Sequence, residues 1–357
     1  MSVNYRGRFT RWFRPLPVIA AAAAIVLLVA AAVVYRNWSS AGDSCTGANC
    51  AAAAETSDTE QALSGDSSQS APSASPSVSA STSVSASAAA SKSAAPGAGQ
   101  AAPPGGFPGA GNTGVPAGKS LTSSGPVRVT KAGTVIDGLS VTGDISVEAN
   151  NVTIKNTKVT NVGEWGIIQR QGVSGLTVVD SEVRGNGRDK LQFGVINQGG
   201  MITIQRSEFA VLSDHISTDV GLIVDNYIHS PKYFPGDHID GIQSNSGPSN
   251  GLTLTIRHNT IIIDYEQTAC IALFQDFGLQ HSAVIESNLL AGGGYSVYGG
   301  AGKYGTSHNI RVVNNKFSRQ VYRTGGSFGP VAYWDKGGSG NVWQGNTWLD
   351  TGEPVNP

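Results

Sequence analysis

An all-β solenoid of stacked coils is the fold class predicted by this 357-residue sequence, and three observations carry it. Short β-branched runs alternate at period two. A small polar residue closes each run, and the runs return at a loose interval of a few tens of residues. Composition agrees, since 46 glycines and only 14% charged residues suit a chain with many tight turns. A net charge of −1 supplies no field that would gather nucleic acid, so no nucleic-acid partner is expected.

Texture divides the chain into four parts. Residues 1–15 form a basic segment containing Arg6, Arg8, Arg11 and Arg14, expected to be cytoplasmic. Residues 16–37 predict a transmembrane anchor: the uncharged run Val18–Tyr35 would span about 27 Å as a helix, close to the hydrocarbon thickness. Trp12, Phe13 and Trp38 sit at its ends as interfacial aromatics, and the arginine excess puts the rest of the chain outside the cell. A cleaved signal peptide is the competing reading, which would make the protein secreted. Residues 38–120, rich in Ala, Ser, Pro and Gly, predict a disordered linker with too little apolar surface to offset chain entropy. Residues 121–357 hold the folded domain. Cys45 and Cys50 are either a local disulfide or two thiols, whereas Cys270, inside an apolar run with no His beside it, predicts core filler.

The repeat defines the domain. Its copies include Val152-Thr-Ile-Lys-Asn-Thr157, Leu176-Thr-Val-Val-Asp-Ser181, Ile202-Thr-Ile-Gln-Arg-Ser207, Leu222-Ile-Val-Asp-Asn226, Thr255-Ile-Arg-His-Asn259, Val284-Ile-Glu-Ser-Asn288, Val312-Val-Asn-Asn315 and Val342-Trp-Gln-Gly-Asn346. From Thr157 to Asn346 the intervals run 24, 26, 19, 33, 29, 27 and 31 residues. One such unit cannot bury its own apolar face, so neighbours must stack into a continuous core, and the variable lengths fall in outer loops. Equivalent turn residues then lie about 4.8 Å apart, and asparagine amides can bond from coil to coil. Asparagine is also expected to take up the left-handed conformation of such turns. Eight or nine coils would make a rod on the order of 40 Å long. Gly118–Val129 is expected to cap one end, and Trp343, Trp348 and Leu349 to lie near the other.

This column, with asparagine at Asn226, Asn259, Asn288 and Asn315, resembles the asparagine ladder of right-handed parallel β-helix proteins. That superfamily includes pectate lyases, polygalacturonases, alginate epimerases and phage tailspikes. The resemblance implies a single-stranded, right-handed parallel β-helix, and it covers about 220 residues.

A second strand lies between successive ladder motifs. Aligning Trp165-Gly-Ile-Ile-Gln, Phe193-Gly-Val-Ile-Asn, Asp214-His-Ile-Ser-Thr, Asp240-Gly-Ile-Gln-Ser, Ala269-Cys-Ile-Ala-Leu, Tyr295-Ser-Val-Tyr-Gly and Pro330-Val-Ala-Tyr-Trp turns Ile167, Val195, Ile216, Ile242, Ile271, Val297 and Ala332 inward. Gly166, Gly194, His215 and Gly241 then form one outward row, with His215 uncovered. Ser217, Gln243, Ala272, Tyr298 and Tyr333 belong to the next. The alternative is that the strands bend at the coil corners and reverse this parity.

The densest polar cluster, Tyr233-Phe-Pro-Gly-Asp237-His238-Ile-Asp240-Gly-Ile-Gln243, falls one coil beyond Asp214-His215-Ile-Ser-Thr-Asp219. Imidazoles and carboxylates on adjacent coils are what acid–base chemistry needs. The bland reading is that Asp before Gly simply makes turns. The His-x-Asp-Gly-Ile-Gln string is similar to active-face motifs of carbohydrate-active β-helix proteins. That similarity implies His238, Asp240, His215 and Asp214 as proton-transfer residues. Gln243, Asp237, Asp219, Tyr298, Tyr333, Arg170 and Lys232 are candidate substrate contacts, the two cations as partners for a uronate.

The motifs of the superfamily's known enzymes are missing. There is no Arg-x-Pro-x-x-Arg, no Gly-His-Gly and no Asp-Pro-His. The expectation is therefore a surface-tethered, monomeric polysaccharide lyase, hydrolase or epimerase acting on an acidic glycan, with calcium serving only an elimination route. A non-catalytic adhesin or cell-wall scaffold rod is the alternative, and whether the protein is an enzyme stays open.

Overall fold

The computed structural model describes residues 106–249 and 251–357. The basic segment, the anchor, most of the linker and the Cys45–Cys50 pair lie outside these residues. Among the described residues no helix is long and apolar enough to cross a membrane.

Three sheets of parallel strands build a solenoid, a parallel β-helix in outline. Each coil contributes one strand to each sheet in turn. The first sheet runs from Val127–Val129 to Gly329–Ala332, the second from Val135–Asp137 to Val342–Gln344, and the third from Thr122–Ser124 to Thr347–Trp348. Trp343 and Trp348 thus close one end, while Thr122–Ser124 and Val127–Val129 are the edges of the other.

Apolar residues stack in three columns. In the first sheet Ile145, Ile167, Val195, Ile216, Ile242, Ile271 and Val297 pair in register, all fully buried. Ile154, Val178, Ile204, Ile223, Ile256, Ile285 and Val312 do the same in the second. The third holds Val159, Val183, Phe209, Ile228, Ile261, Leu290 and Phe317. One coil could not hide such a column, but a stack of coils makes it a continuous core.

The corner between second and third sheets carries the ladder. The Asn226 N–H donates to Asn259 Oδ1 at 2.9 Å, Asn259 to Asn288 at 2.9 Å, Asn288 to Asn315 at 2.9 Å and Asn315 to Asn346 at 3.0 Å. From Asn226 to Asn315 each amide nitrogen donates both onward and back, as Asn226 Nδ2 does to Asn259 Oδ1 in the next coil and to the Ile204 carbonyl in the previous one, both at 2.9 Å. Toward the N-terminus hydroxyls continue the column: Thr157 N–H to Ser181 Oγ, Ser181 N–H to Ser207 Oγ, and Ser207 N–H to Asn226 Oδ1.

The left-handed residue of this corner is the one before the ladder position. Asn156, Asp180, Arg206, Asp225, His258, Ser287 and Asn314 have φ between 46° and 58°. One left-handed residue turns the chain sharply, which lets the ladder side chain point inward and bond to its copy in the next coil. Asparagine is therefore placed there for its amide and not for its backbone.

Residues 106–120, assigned to the linker from composition, pack along this corner. The Phe107 ring stacks on His258 at 5.5 Å, the Gly114 N–H donates to the Arg206 carbonyl at 2.9 Å, and Lys119 pairs with Asp137 at 3.2 Å. Cys270 is a buried free thiol whose pKa burial pushes up to about 12, so it packs as core.

Candidate functional site

A cleft of about 360 Å³ opens over the first sheet, lined by Lys190, Gln192, Asp214, Gly236, Asp237, His238, Asp240, Gln243, Phe274 and Asp276. Unequal coils create it. Only residues 211–213 join the third-sheet strand Glu208–Ala210 to the first-sheet strand Asp214–Ser217, whereas residues 230–239 join Tyr227–His229 to Asp240–Ser244. The longer connection overhangs the shorter one and carries Asp237 and His238 above Asp214.

Register puts Asp214 and Asp240 side by side, because Ile216 pairs with Ile242 on the same two strands. The Asp240 N–H donates to Asp214 Oδ1 at 3.1 Å, and Gln192 Nε2 donates to Asp214 Oδ2 at 2.6 Å. Asp240 Oδ1 is buried with no hydrogen-bond partner. Burial pushes the Asp214 carboxyl up to about 7, against the lowering effect of its bonds from Gln192 and the Asp240 backbone. Burial, and then the charge of Asp214, holds Asp240 well above the ordinary carboxylate range. Two carboxyls on neighbouring strands cannot both ionise cheaply out of water, so the pair retains a proton near neutrality.

Asp237 is buried and is held by Lys190 Nζ and Ser213 Oγ. His238 is exposed on the cleft wall, and Gln243 lies on its floor. The sequence-derived cluster is therefore brought together for Asp214, Asp237, His238, Asp240 and Gln243.

His215 departs from expectation. It is fully buried, its Nδ1 lies 3.0 Å from the Asp240 carbonyl, and its Nε2 has no hydrogen-bond partner, with only the His229 backbone nearby. The row Gly166, Gly194, His215, Gly241 faces inward: a Cβ on Gly166 would meet Val183, one on Gly194 would meet Leu212 and Phe209, and one on Gly241 would meet Ile261. The strands bend into the third sheet at this corner, so two successive residues point inside. Burial lowers the His215 pKa to about 4, which leaves the imidazole neutral beneath the cleft floor.

Three other candidates sit away from the cleft. Asp219 accepts from Ser244 Oγ, Ser246 Oγ and the N–H groups of Asn245 and Ser246, tying the turn that follows Asp240–Ser244. Arg170 donates to Ser146 Oγ at 3.1 Å and lies over the Trp165 ring at 4.7 Å. Lys232 is exposed on the long connection but does not line the cleft.

The tyrosines form a shelf beside it. Tyr298 lies against Phe274 at 5.7 Å, Tyr333 at 5.1 Å and Tyr295 at 5.8 Å. Tyr333 is not in the row first aligned, because Tyr298 pairs with Ala332 and Val297 with Val331, a shift of one residue.

Gln192, Phe274 and Asp276 were missed from sequence. Gln192 precedes the aligned strand segment, and Phe274 and Asp276 follow one, where the strand pattern stops. Among the described residues no group of three or more His, Cys, Asp or Glu has the arrangement to hold a metal ion. No protein-family model, curated protein or solved structure matches the chain.

Proposed function

We propose that this is a pectate-lyase-like, right-handed β-helix protein, tethered outside the cell, that hydrolyses a polysaccharide in the cleft above Asp214 and Asp240. Parallel crossovers wind right-handed in almost all proteins, which supports the handedness. The observation that carries the reaction is the pair of adjacent buried carboxyls that line the cleft, one of them with an unpartnered oxygen.

Asp240 has the protonated state a general acid requires, and Asp214 is the partner carboxylate. Asp240 gives its proton to the glycosidic oxygen as the bond to the anomeric carbon breaks. The Asp214 carboxylate bonds to that carbon, and water then displaces it while giving a proton back to Asp240. Adjacent strands lie about 4.8 Å apart, near the roughly 5–5.5 Å separation of carboxyl pairs that act together on one glycosidic bond. Elimination from a uronate has less support, since Lys190, the one lysine lining the cleft, is occupied by Asp237.

Reducing-end release by the full-length chain from a panel of polysaccharides is the test. Products that vanish in Asp240→Asn and Asp214→Asn support the reading. Glycan binding that persists in both variants, with no product from the wild type on any polymer, would establish the adhesin instead.

A further inference from the structure

Four aromatic rings continue the cleft toward the C-terminal end of the solenoid. Tyr295 contacts Phe328 at 5.9 Å and Tyr298 at 5.8 Å, and Tyr298 contacts Tyr333 at 5.1 Å. Phe274 joins this run to the cleft wall by its edge contact with Tyr298. Tyr298 is also close enough to Asp240 for that carboxyl to raise its pKa, after burial and Tyr333.

Exposure sets this surface apart from ordinary packing. Phe328 is 68% exposed and Tyr333 is 58% exposed, so two of the four rings leave most of their area to solvent. Tyr333, with a φ of 54°, takes the left-handed turn that other residues at the coil corners take, and its strand ends at Ala332.

Charge narrows what would lie there. Asp276 and the Asp214–Asp240 pair, which shares one proton, leave the adjoining cleft negative, since Asp237 already neutralises Lys190. Lys303, a further cation on this side, sits over the Tyr304 ring at 5.5 Å. A polyuronate would bring one carboxylate per sugar into this field. An uncharged sugar presents apolar C–H faces to the rings and hydroxyls to the carboxyls. The coil spacing of about 4.8 Å is also close to the length of one sugar residue, so Phe274, Tyr298 and Tyr333, on three successive coils, can meet successive sugars.

We propose that Tyr295, Tyr298, Phe328 and Tyr333 form a stacking platform for an uncharged stretch of polysaccharide, which makes the substrate a neutral glycan and not the acidic one expected from sequence. This inference rests on the cleft being a polysaccharide site.

The test is affinity electrophoresis of the full-length chain in gels containing xylan, galactan or β-glucan against polygalacturonate or alginate, run beside turnover assays. At least one neutral polymer should retard the wild type more than either uronate polymer. Phe328→Ala with Tyr333→Ala should weaken that binding by roughly tenfold per ring. Tyr333→Trp should restore it, which separates lost stacking from a disturbed fold. Asp240→Asn should still be retarded by the neutral polymer while releasing product about 10³-fold more slowly. Preferential retardation by the uronate polymers, or a double alanine variant that binds neutral glycans undiminished, overturns the platform. If turnover survives the double variant with unchanged KM, the platform fails while hydrolysis stands. If neutral-glycan binding depends on the rings but no polymer is cut, hydrolysis fails while the platform stands.

Discussion

The ladder corner and the cleft floor both bury polar side chains, yet they treat them in opposite ways. At the corner, each asparagine amide from Asn226 to Asn315 accepts from the coil before and donates to the coil after, and no amide there lacks a partner. On the cleft side, Asp240 Oδ1 and His215 Nε2 are buried without a hydrogen-bond partner, although the His229 backbone lies near the imidazole. An unpartnered buried polar group costs about 1–3 kcal/mol, so a fold keeps one only where something else is gained. Thr260 Oγ1, beside the ladder, and Gln267 Oε1 are buried without partners too, so what marks the site is unsatisfied burial on one of two adjacent carboxyls.

Substitutions can break or sharpen this contrast. The largest effect is expected from Asp240→Asn, which should cut turnover about 10³-fold by removing a general acid, with the unfolding midpoint held or raised. Initial rates on the best polymer, together with thermal melts, check both halves; a melt lowered by many degrees would class Asp240 with the ladder. Next comes Asn288→Ala. It strands buried backbone and amide groups of its neighbours and should lower stability by about 2–4 kcal/mol in urea titrations. The kcat of the molecules that remain folded should not change.

Smaller is the pH dependence of stability. Asp214 titrates at about 7 in the fold against an ordinary 3.8, so between those values the folded chain keeps a proton that the unfolded chain has lost. Its contribution to stability falls as pH rises across that window and is constant above it. His215 has the opposite sign: its pKa drops to about 4 from 6.5, the unfolded chain binds the proton, and stability rises with pH through that range. Asp214→Asn should therefore tilt the slope of unfolding free energy upward between pH 4 and 6.5, and His215→Gln should tilt it downward. Denaturant titrations at three pH values would show this, and parallel slopes in both variants would remove the electrostatic account of the floor.

The smallest effect belongs to the outer side of the ladder corner. Arg206 reaches Asp180 with two bonds of 2.7 and 2.9 Å, but both side chains are part exposed. Asp180→Asn should cost no more than about 1 kcal/mol. A larger loss would mean that the corner depends on its surface charges as well as on its amides.

The ladder was legible in sequence because its two signals, alternation at period two and a polar residue at a fixed place in each coil, are both local. Lateral neighbours were harder. The side on which His215 falls depends on how sharply the strand bends after the three-residue connection 211–213, and alternation alone assumes no bend. The position of Tyr333 was misjudged by one residue because its left-handed backbone ends the strand pattern at Ala332. Asp219, a candidate substrate contact from its place in the string Asp214–Asp219, has its carboxylate consumed by the following turn. Gln192 carried no signal at all, since only the pairing of Phe193 with Asp214 brings it to the cleft.

The step from a 19-residue coil to a 33-residue coil has one more consequence. The recess over Asp214 is a notch left by a missing overhang, so its depth is set by how many residues bulge from one turn. Such a notch can be widened, roofed or moved along the stack by lengthening or trimming a single excursion, with every inward-facing isoleucine left where it stands. Specificity in this architecture can change without any renegotiation with the interior.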